Sequence, residues 1–156
     1  MKDPYASGMF KENPFHSKSD IRGKLVTVLD MKANDRMLSL IVPISRCLCK
    51  YDIHELIASD EEGAGPGAVV NAISYIGFVE IMQGGVVCAG DFVYWNGQCL
   101  GTVAGYDETH MPNHLNIVYR SDERITGAQL GCCPGDGITF VQNMKNRSSK
   151  QKEGKG

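Results

Sequence analysis

The chain has 156 residues, of which 42% are apolar and 22% charged, and its formal net charge is −2. This is the balance of a globular protein with one domain and a core of its own, and its acidic and basic residues are interspersed without the basic stripe that nucleic acid requires. No apolar run approaches the roughly 18 residues of a membrane-spanning helix, and the segment from Met1 to Gly8 lacks the apolar core of a secretory signal. We therefore expect a cytoplasmic protein that binds neither nucleic acid nor a membrane.

The two ends of the chain differ in composition from its middle. Residues 1–21 are polar, include Pro4 and Pro14 and show no periodicity, which is typical of a flexible arm. Residues 143–156 are polar and rich in lysine, as expected of a disordered tail. The sequence thus predicts a single folded domain over residues 22–142.

The first half of this domain mixes strand and loop patterns. Residues 24–30 are rich in β-branched side chains and predict a strand, with residues 37–45 as its hairpin partner. Residues 52–58 predict one or two helical turns, which would place His54 at the surface. Residues 68–75 fit either a short helix or the entry to a strand.

An acidic, glycine-rich segment at residues 60–67 separates these elements. Glycines let backbone amides approach a phosphate, but this segment lacks the Gly-Lys-Ser/Thr ending of a phosphate-binding loop. Its carboxylates would also repel an anion. We therefore interpret it as a flexible turn.

The second half of the domain predicts strand after strand. Asn96-Gly97 is the strongest signal for a tight hairpin in the chain. The strand patterns are 76–81, 92–95, 99–104, 115–119 and 138–141. Because short strands recur between glycine-rich turns, the predicted fold is mainly β, a small distorted β-barrel of about seven or eight short strands with one or two short helices.

The chain has six cysteines, which in a cytoplasmic protein are free thiols. Their positions are Cys47, Cys49, Cys88, Cys99, Cys132 and Cys133. None of the spacings matches the two-residue spacing of common zinc sites. We expect them to be small buried apolar residues, with a thiol metal site drawn from several strands as the alternative.

The segment at residues 105–114 has the composition of a functional site. It contains two of the four histidines and two carboxylates around one proline. A simple turn needs only a few residues such as Gly, Asn or Asp, so these side chains indicate a further role. The candidate ligand-binding residues are Tyr106, Asp107, Thr109, His110, Asn113 and His114. With Tyr119 and Trp95 as aromatic walls, these would line a polar pocket at the barrel mouth for a sugar or a small acid.

Two other interpretations of this segment stay open. His110 and His114, with Asp107 as third ligand, have the donor types of a zinc or iron site, and the protein would then be a small metal-dependent enzyme. Alternatively, Asp107 and Asn113 cap turns, and the loop serves a structural or regulatory role within a homo-oligomer.

The C-terminal half resembles the glucitol/sorbitol-specific IIA component of the bacterial phosphotransferase system. The stretches that carry the resemblance are Gly90–Gly97, Gly101–Gly105, Asn113–Arg120 and Pro134–Phe140, within residues 76–141. The resemblance implies a barrel scaffold. The stretch Thr109–His114 also resembles an uncharacterised bacterial family with no assigned activity.

The resemblance does not extend to the phosphoryl chemistry. The family carries a His-x-His pair on the strand before the Gly-Asp turn, and one of these histidines accepts the phosphoryl group. The matching stretch here, Gly77–Met82, has no histidine. Because phosphoryl transfer needs a nucleophile at that point, the resemblance implies a scaffold without the phosphocarrier activity.

Overall fold

The computed structural model describes residues 17–144 of the chain. Within that range the chain forms twelve short strands and one short helix. In chain order these are β1 (Ile21–Val28), β2 (Lys32–Ala33), β3 (Leu38–Ser39), β4 (Ser45–Leu48), β5 (Ile53–Ser59), β6 (Val69–Val70), β7 (Ile73–Gln83), β8 (Gly85–Cys88), β9 (Phe92–Trp95), β10 (Gln98–Asp107), β11 (Asn116–Arg120), α1 (Gly127–Leu130) and β12 (Gly137–Val141). The predicted arm and tail lie mostly outside the described residues.

Seven strands close into a ring in the order β1, β12, β9, β10, β11, β5 and β7, and β7 pairs back onto β1. Neighbouring strands in the ring are antiparallel, except that β11 and β5 run parallel. β2 pairs with the start of β7, while β3–β6 and β4–β8 form two small separate sheets. The predicted mainly-β fold, a small distorted β-barrel, is confirmed.

Two predicted elements of the first half are wrong. Residues 52–58 do not form helical turns, because they make up most of β5, which pairs with β11 on one side and β7 on the other. Residues 37–45 are not the hairpin partner of β1, since β1 pairs with β12 and β7. Their first two strand residues, Leu38 and Ser39, pair with β6 instead.

The burial of both faces of β5 explains the first error. Leu56 and Ala58 belong to the large apolar cluster to which all seven ring strands contribute, so they point into the barrel. Ile57, between them, belongs to a second cluster on the outer face, which also includes Leu38 and Val70 of the β3–β6 pair. A strand covered on both faces lacks the alternation of apolar and polar residues that identifies a half-buried strand in sequence, and β5, with six of its seven residues buried, lacks it.

The single described helix, α1, was not predicted. Thr126 caps its first turn in a capping box with Gln129, and Gly131 ends it in the left-handed conformation. With four residues it is far too short to cross a membrane, and no other helix lies within residues 17–144.

The turn at Asn96-Gly97 is confirmed. Both residues have positive φ angles, 45° and 83°, and Trp95 pairs with Gln98 across them, as the hairpin prediction requires. On the returning strand, β10, the backbone passes so close to β11 that a Cβ on Gly101 would lie 2.1 Å from the Arg120 carbonyl oxygen. Gly101 therefore permits the close crossing that bends the sheet into a barrel.

All six cysteines are free thiols, but the expectation that they are buried is wrong for four of them. Cys88 and Cys132 are buried, whereas the exposed ones are Cys47, Cys49, Cys99 and Cys133. Cys47 is exposed beside the buried Leu48 in β4, as strand alternation requires, whereas Cys99 lies at the start of β10, where Gln98 is exposed as well. Burial raises the pKa of the Cys88 thiol to about 12, so Cys88 is not a reactive thiolate.

Candidate functional site

A row of four side chains crosses the outer face of the barrel. Asp107 of β10 pairs with Asn116 of β11, Asn116 pairs with Glu55 of β5, and Glu55 pairs with Phe78 of β7. Directly paired residues project from the same side of a sheet with side chains about 5 Å apart. Their neighbours Tyr106, Ile117 and Leu56 point into the barrel. The four paired side chains therefore form a mostly polar band on its outside.

Asp107 anchors this band and the loop that follows it. Its carboxylate accepts hydrogen bonds from the backbone N–H of Ser39 (3.1 Å) and Thr109 (3.0 Å) and from Asn116 Nδ2 (3.1 Å). Burial alone would raise the pKa of Asp107, but these hydrogen bonds outweigh it and lower the pKa. Asp107 is therefore an ionised structural anchor whose oxygens already have partners.

The loop after Asp107 folds back over the band. The Met111 N–H donates to the Glu108 carbonyl, and the N–H groups of Asn113 and His114 donate to the His110 carbonyl. This turn stacks the imidazoles of His110 and His114, with ring centroids 4.9 Å apart. The structure thus brings together the two histidines that the sequence singled out.

His114 presents a buried N–H without a partner. Asn113 Nδ2 lies 2.8 Å from His114 Nδ1 and can only donate, so in the neutral ring Nε2 carries the proton. Nε2 is buried and has no hydrogen-bond partner in the described part of the chain. The ring packs edge-on against Phe78 at 5.1 Å. Burial lowers the pKa of His114, and the nearby charge of His110 lowers it further.

Glu55 lies beneath this loop as a buried acid. The residue is 8% exposed, and within residues 17–144 its carboxylate has no hydrogen bond or ion pair. Burial raises the pKa of Glu55, and the charges of His110 and Arg36 oppose that rise. Its strand neighbour Asn116 is fully buried, and the Asn116 Oδ1 likewise lacks a partner among the described residues.

Arg36 reaches the same place from the connection between β2 and β3. Its Nε donates to the Tyr75 hydroxyl at 3.0 Å, and its Nη2 lies 3.4 Å from His110 Nε2. We refer to Arg36, Glu55, His110, His114 and Asn116 as the outer-face cluster. It combines a cation, a carboxylate, two imidazoles and an amide.

His54 is not the surface histidine that the sequence predicted. It is 8% exposed, and its Nδ1 accepts a hydrogen bond from the Leu115 backbone N–H at 3.0 Å. Its Nε2 lies 3.4 Å from Asp52 Oδ2. Burial lowers the pKa of His54, although Asp52 opposes this. His54 thus holds the residue that follows His114.

The other predicted site residues are divided between the loop and the barrel interior. Asn113 contacts His114, and Thr109 is bound to Asp107 through its backbone. Tyr106 is fully buried, with its hydroxyl near the carbonyl oxygens of Ile44 and Val87 at 3.1 and 3.0 Å. Tyr119 also faces the interior, and Trp95 packs against that core while its Nε1 donates to Asp136 at 2.9 Å. None of these three aromatic residues lies in the outer-face cluster.

Arg36, Glu55 and Asn116 were not among the site residues predicted from the sequence. A charged residue inside the apolar run 53–58 was a usable signal for Glu55, but the helical interpretation of that run concealed the face it occupies. Asn116 stands in a predicted strand, where a single buried amide among apolar residues could have been noticed. Nothing in the local sequence identifies Arg36, because its contact with His110 spans 74 positions.

The donor atoms proposed for a metal are largely engaged elsewhere. The Asp107 oxygens bind backbone and amide donors, and His110 Nε2 faces the Arg36 guanidinium. Within residues 17–144 no three His, Cys, Asp or Glu side chains are placed to hold a metal ion. The arrangement offers hydrogen-bond donors and acceptors more readily than a coordination shell.

Comparison with known proteins gives one finding. The model of a family of unknown function, DUF6917, matches residues 15–141, which include every strand and the whole outer-face cluster. No curated protein matches the chain, and no solved structure matches it. The matched span covers most of the 156 residues, and the chain therefore belongs to the DUF6917 family.

Proposed function

We propose that this protein is a binding module that takes up a small polar molecule at the outer-face cluster. The observation that carries the proposal is the concentration of unsatisfied polar groups there. Glu55 has no hydrogen bond or ion pair in the described residues, and His114 Nε2 and Asn116 Oδ1 are buried without partners. Native proteins leave few such groups, and those that remain call for a specific explanation.

The chemistry of these groups supports a ligand with several polar atoms. His114 Nε2 is a donor, Asn116 Oδ1 is an acceptor, and the Glu55 carboxylate is a strong acceptor when ionised. Phe78 packs beside His114 and supplies an apolar surface. A few converging polar groups next to an aromatic ring are the usual composition of a small-molecule site.

Positioning of the cluster supports the same function. Glu55 and Asn116 are on paired strands, Asp107 fixes the start of the loop, and His54 fixes its end through Leu115. Binding groups held on strands and supported by neighbouring hydrogen bonds lose little freedom when a ligand arrives. This arrangement favours recognition over a purely structural turn.

The test is a titration of the full chain followed by the ring-proton NMR signals of its histidines. The probes are neutral sugars and polyols, hydroxy acids and amino acids, each at about 10 mM, with melting temperature measured in parallel because a ligand that binds only the folded state stabilises it. We expect at least one probe to shift the His110 and His114 signals and raise the melting temperature. Glu55→Gln should weaken that effect, whereas the exposed Glu123→Gln should not.

Failure of every probe to move either readout would contradict the proposal. An assembly role would then replace it if the protein proves oligomeric and Met111→Asp dissociates the oligomer without unfolding the chain. Met37 and Met111, which adjoin Arg36 and His110 in sequence, are 71% and 38% exposed and favour that second candidate.

A further inference from the structure

Arg36 places a guanidinium in the outer-face cluster that forms no ion pair with any acidic side chain of residues 17–144. The Tyr75 hydroxyl holds its Nε, and the Arg36 backbone N–H donates to the Asn71 carbonyl at 3.2 Å. Nη1 has no protein partner in the same range. Because a guanidinium presents several N–H groups in one plane, a positioned and unpaired arginine is suited to a carboxylate.

Glu55, in the same cluster, needs the opposite kind of partner: Arg36 needs a hydrogen-bond acceptor, whereas Glu55 needs a donor. The charge of Arg36 is close enough to affect the Glu55 pKa, yet no ion pair joins the two side chains. The Glu55 carboxylate and the neighbouring Asn116 Oδ1 are both hydrogen-bond acceptors, and neither accepts from a donor in the described residues. The cluster thus combines a cationic hydrogen-bond donor, Arg36, with two hydrogen-bond acceptors, the Glu55 carboxylate and Asn116 Oδ1.

We infer that the ligand is a small organic acid that also carries a hydrogen-bond donor, with its carboxylate on Arg36 and its hydroxyl or ammonium group on Glu55 and Asn116. The inference rests on the proposed function and adds the class of ligand. A neutral sugar would leave the Arg36 charge unmatched. A simple anion would approach Glu55 with nothing to donate, and a metal ion would be repelled by Arg36.

The experiment uses probes that differ by one group. Lactate has both the acid and the hydroxyl, propionate lacks the hydroxyl, and propane-1,2-diol has a hydroxymethyl group in place of the carboxylate. Gluconate and glucitol repeat the second comparison in a longer chain. Dissociation constants are measured from the His110 and His114 ring signals. We expect lactate to bind about tenfold more tightly than propionate or the diol, and gluconate about tenfold more tightly than glucitol.

Two variants of Arg36 test whether its guanidinium binds the carboxylate of the ligand. Arg36→Gln should reduce gluconate binding to the level of glucitol, while Arg36→Lys should keep part of the preference because it retains the charge. Arg120→Gln is the matched control, since Arg120 is exposed at the opposite end of β11 from Asn116. Folding of each variant is checked by the dispersion of its amide NMR spectrum.

The outcomes separate the ligand class from the proposed function. If glucitol binds the cluster as tightly as gluconate, or if Arg36→Gln leaves the acid preference intact, the acid class is overturned while a ligand site remains. If propionate equals lactate, the donor requirement is overturned. If none of the five probes moves the histidine signals, and no other sugar, acid or amino acid does, both proposals are contradicted.

Discussion

At the scale of single residues, the outer-face cluster contains polar groups that have no hydrogen-bond partner among the described residues. Such groups lower the stability of the fold. Glu55 shows this most directly, because its burial raises its pKa above the ordinary value of 4.5 and no described residue donates to its carboxylate. A group with a raised folded-state pKa stabilises the fold below its unfolded pKa, and that contribution is lost as the pH rises through the folded value. The ionised form at neutral pH therefore opposes folding.

We predict that Glu55→Gln stabilises the free protein at pH 8 by about 1 kcal/mol, because the substitution removes a charge that burial disfavours and keeps the shape of the side chain. The gain should shrink as the pH falls towards 4.5, where the wild-type carboxyl takes up its proton in both states. Chemical denaturation at several pH values measures the difference.

A variant that is less stable than the wild type at pH 8 would show that the ionised carboxylate is favourable in the folded state. Glu123→Gln, at an exposed position, is the control and should change stability little at any pH.

Only some residues of the outer-face cluster could be predicted from the sequence. The loop from 105 to 114 was identified because its two histidines, two carboxylates and one amide are neighbours in the chain. Arg36 and Glu55 join it only through strand pairing and through a contact across the fold, so their roles depend on the topology. Tyr106 was included as an aromatic residue within this loop, but strand alternation turns its side chain into the core.

At the scale of elements, turns were predictable and strand partners were not. Asn96-Gly97 encodes its hairpin locally, because both positions adopt positive φ. The local sequence of β5 does not determine that it is a strand. It is a strand because β11 and β7 pair with it on its two sides and the β3–β6 pair covers its outer face. The local pattern of apolar residues predicts which residues are buried, but it does not predict which distant segment covers them.

The crossing of β10 and β11 gives a prediction at this scale. A Cβ at Gly101 would meet the Arg120 carbonyl oxygen at 2.1 Å, and backbone cannot move aside as a flexible side chain can. Gly101→Ala should therefore lower the free energy of unfolding by about 1–3 kcal/mol or more, as overpacking does. Urea denaturation measures it.

Gly63→Ala is the matched control, because nothing lies within 4 Å of a Cβ at that position. It should change stability by less than about 0.5 kcal/mol. Equal effects of the two substitutions would show that the close crossing does not constrain the barrel.

At the scale of the whole molecule, a buried ion pair joins the segment before β1 to the residue that precedes β9, two strands away in the ring. Lys18 and Asp91 contact each other with side chains 5% and 2% exposed, and Asp91 also accepts the Cys88 N–H at 2.8 Å. Burial raises the pKa of Asp91, and Lys18 opposes this rise. Removing one partner leaves the other charge uncompensated.

We predict that Lys18→Met destabilises the protein by about 3–5 kcal/mol at pH 7, as expected when one partner of a buried pair is removed. The loss should diminish in acid, because Asp91 can then be buried in its neutral form. Lys32→Met, at an exposed position, serves as control. A loss that does not change with pH would assign the effect to packing of the lysine side chain rather than to charge.

The place of β12 in the ring has a consequence for how the protein is made. β12 is synthesised after all the other described strands, yet in the ring it lies between β1, the first of them, and β9. Until it is released, the nascent chain has an open sheet with two unpaired edges, and such edges recruit other strands. We expect messages truncated before Gly137 to yield product that aggregates or remains bound to chaperones, and messages that extend past Val141 to yield product that does so less, because β12 can then pair with both edges.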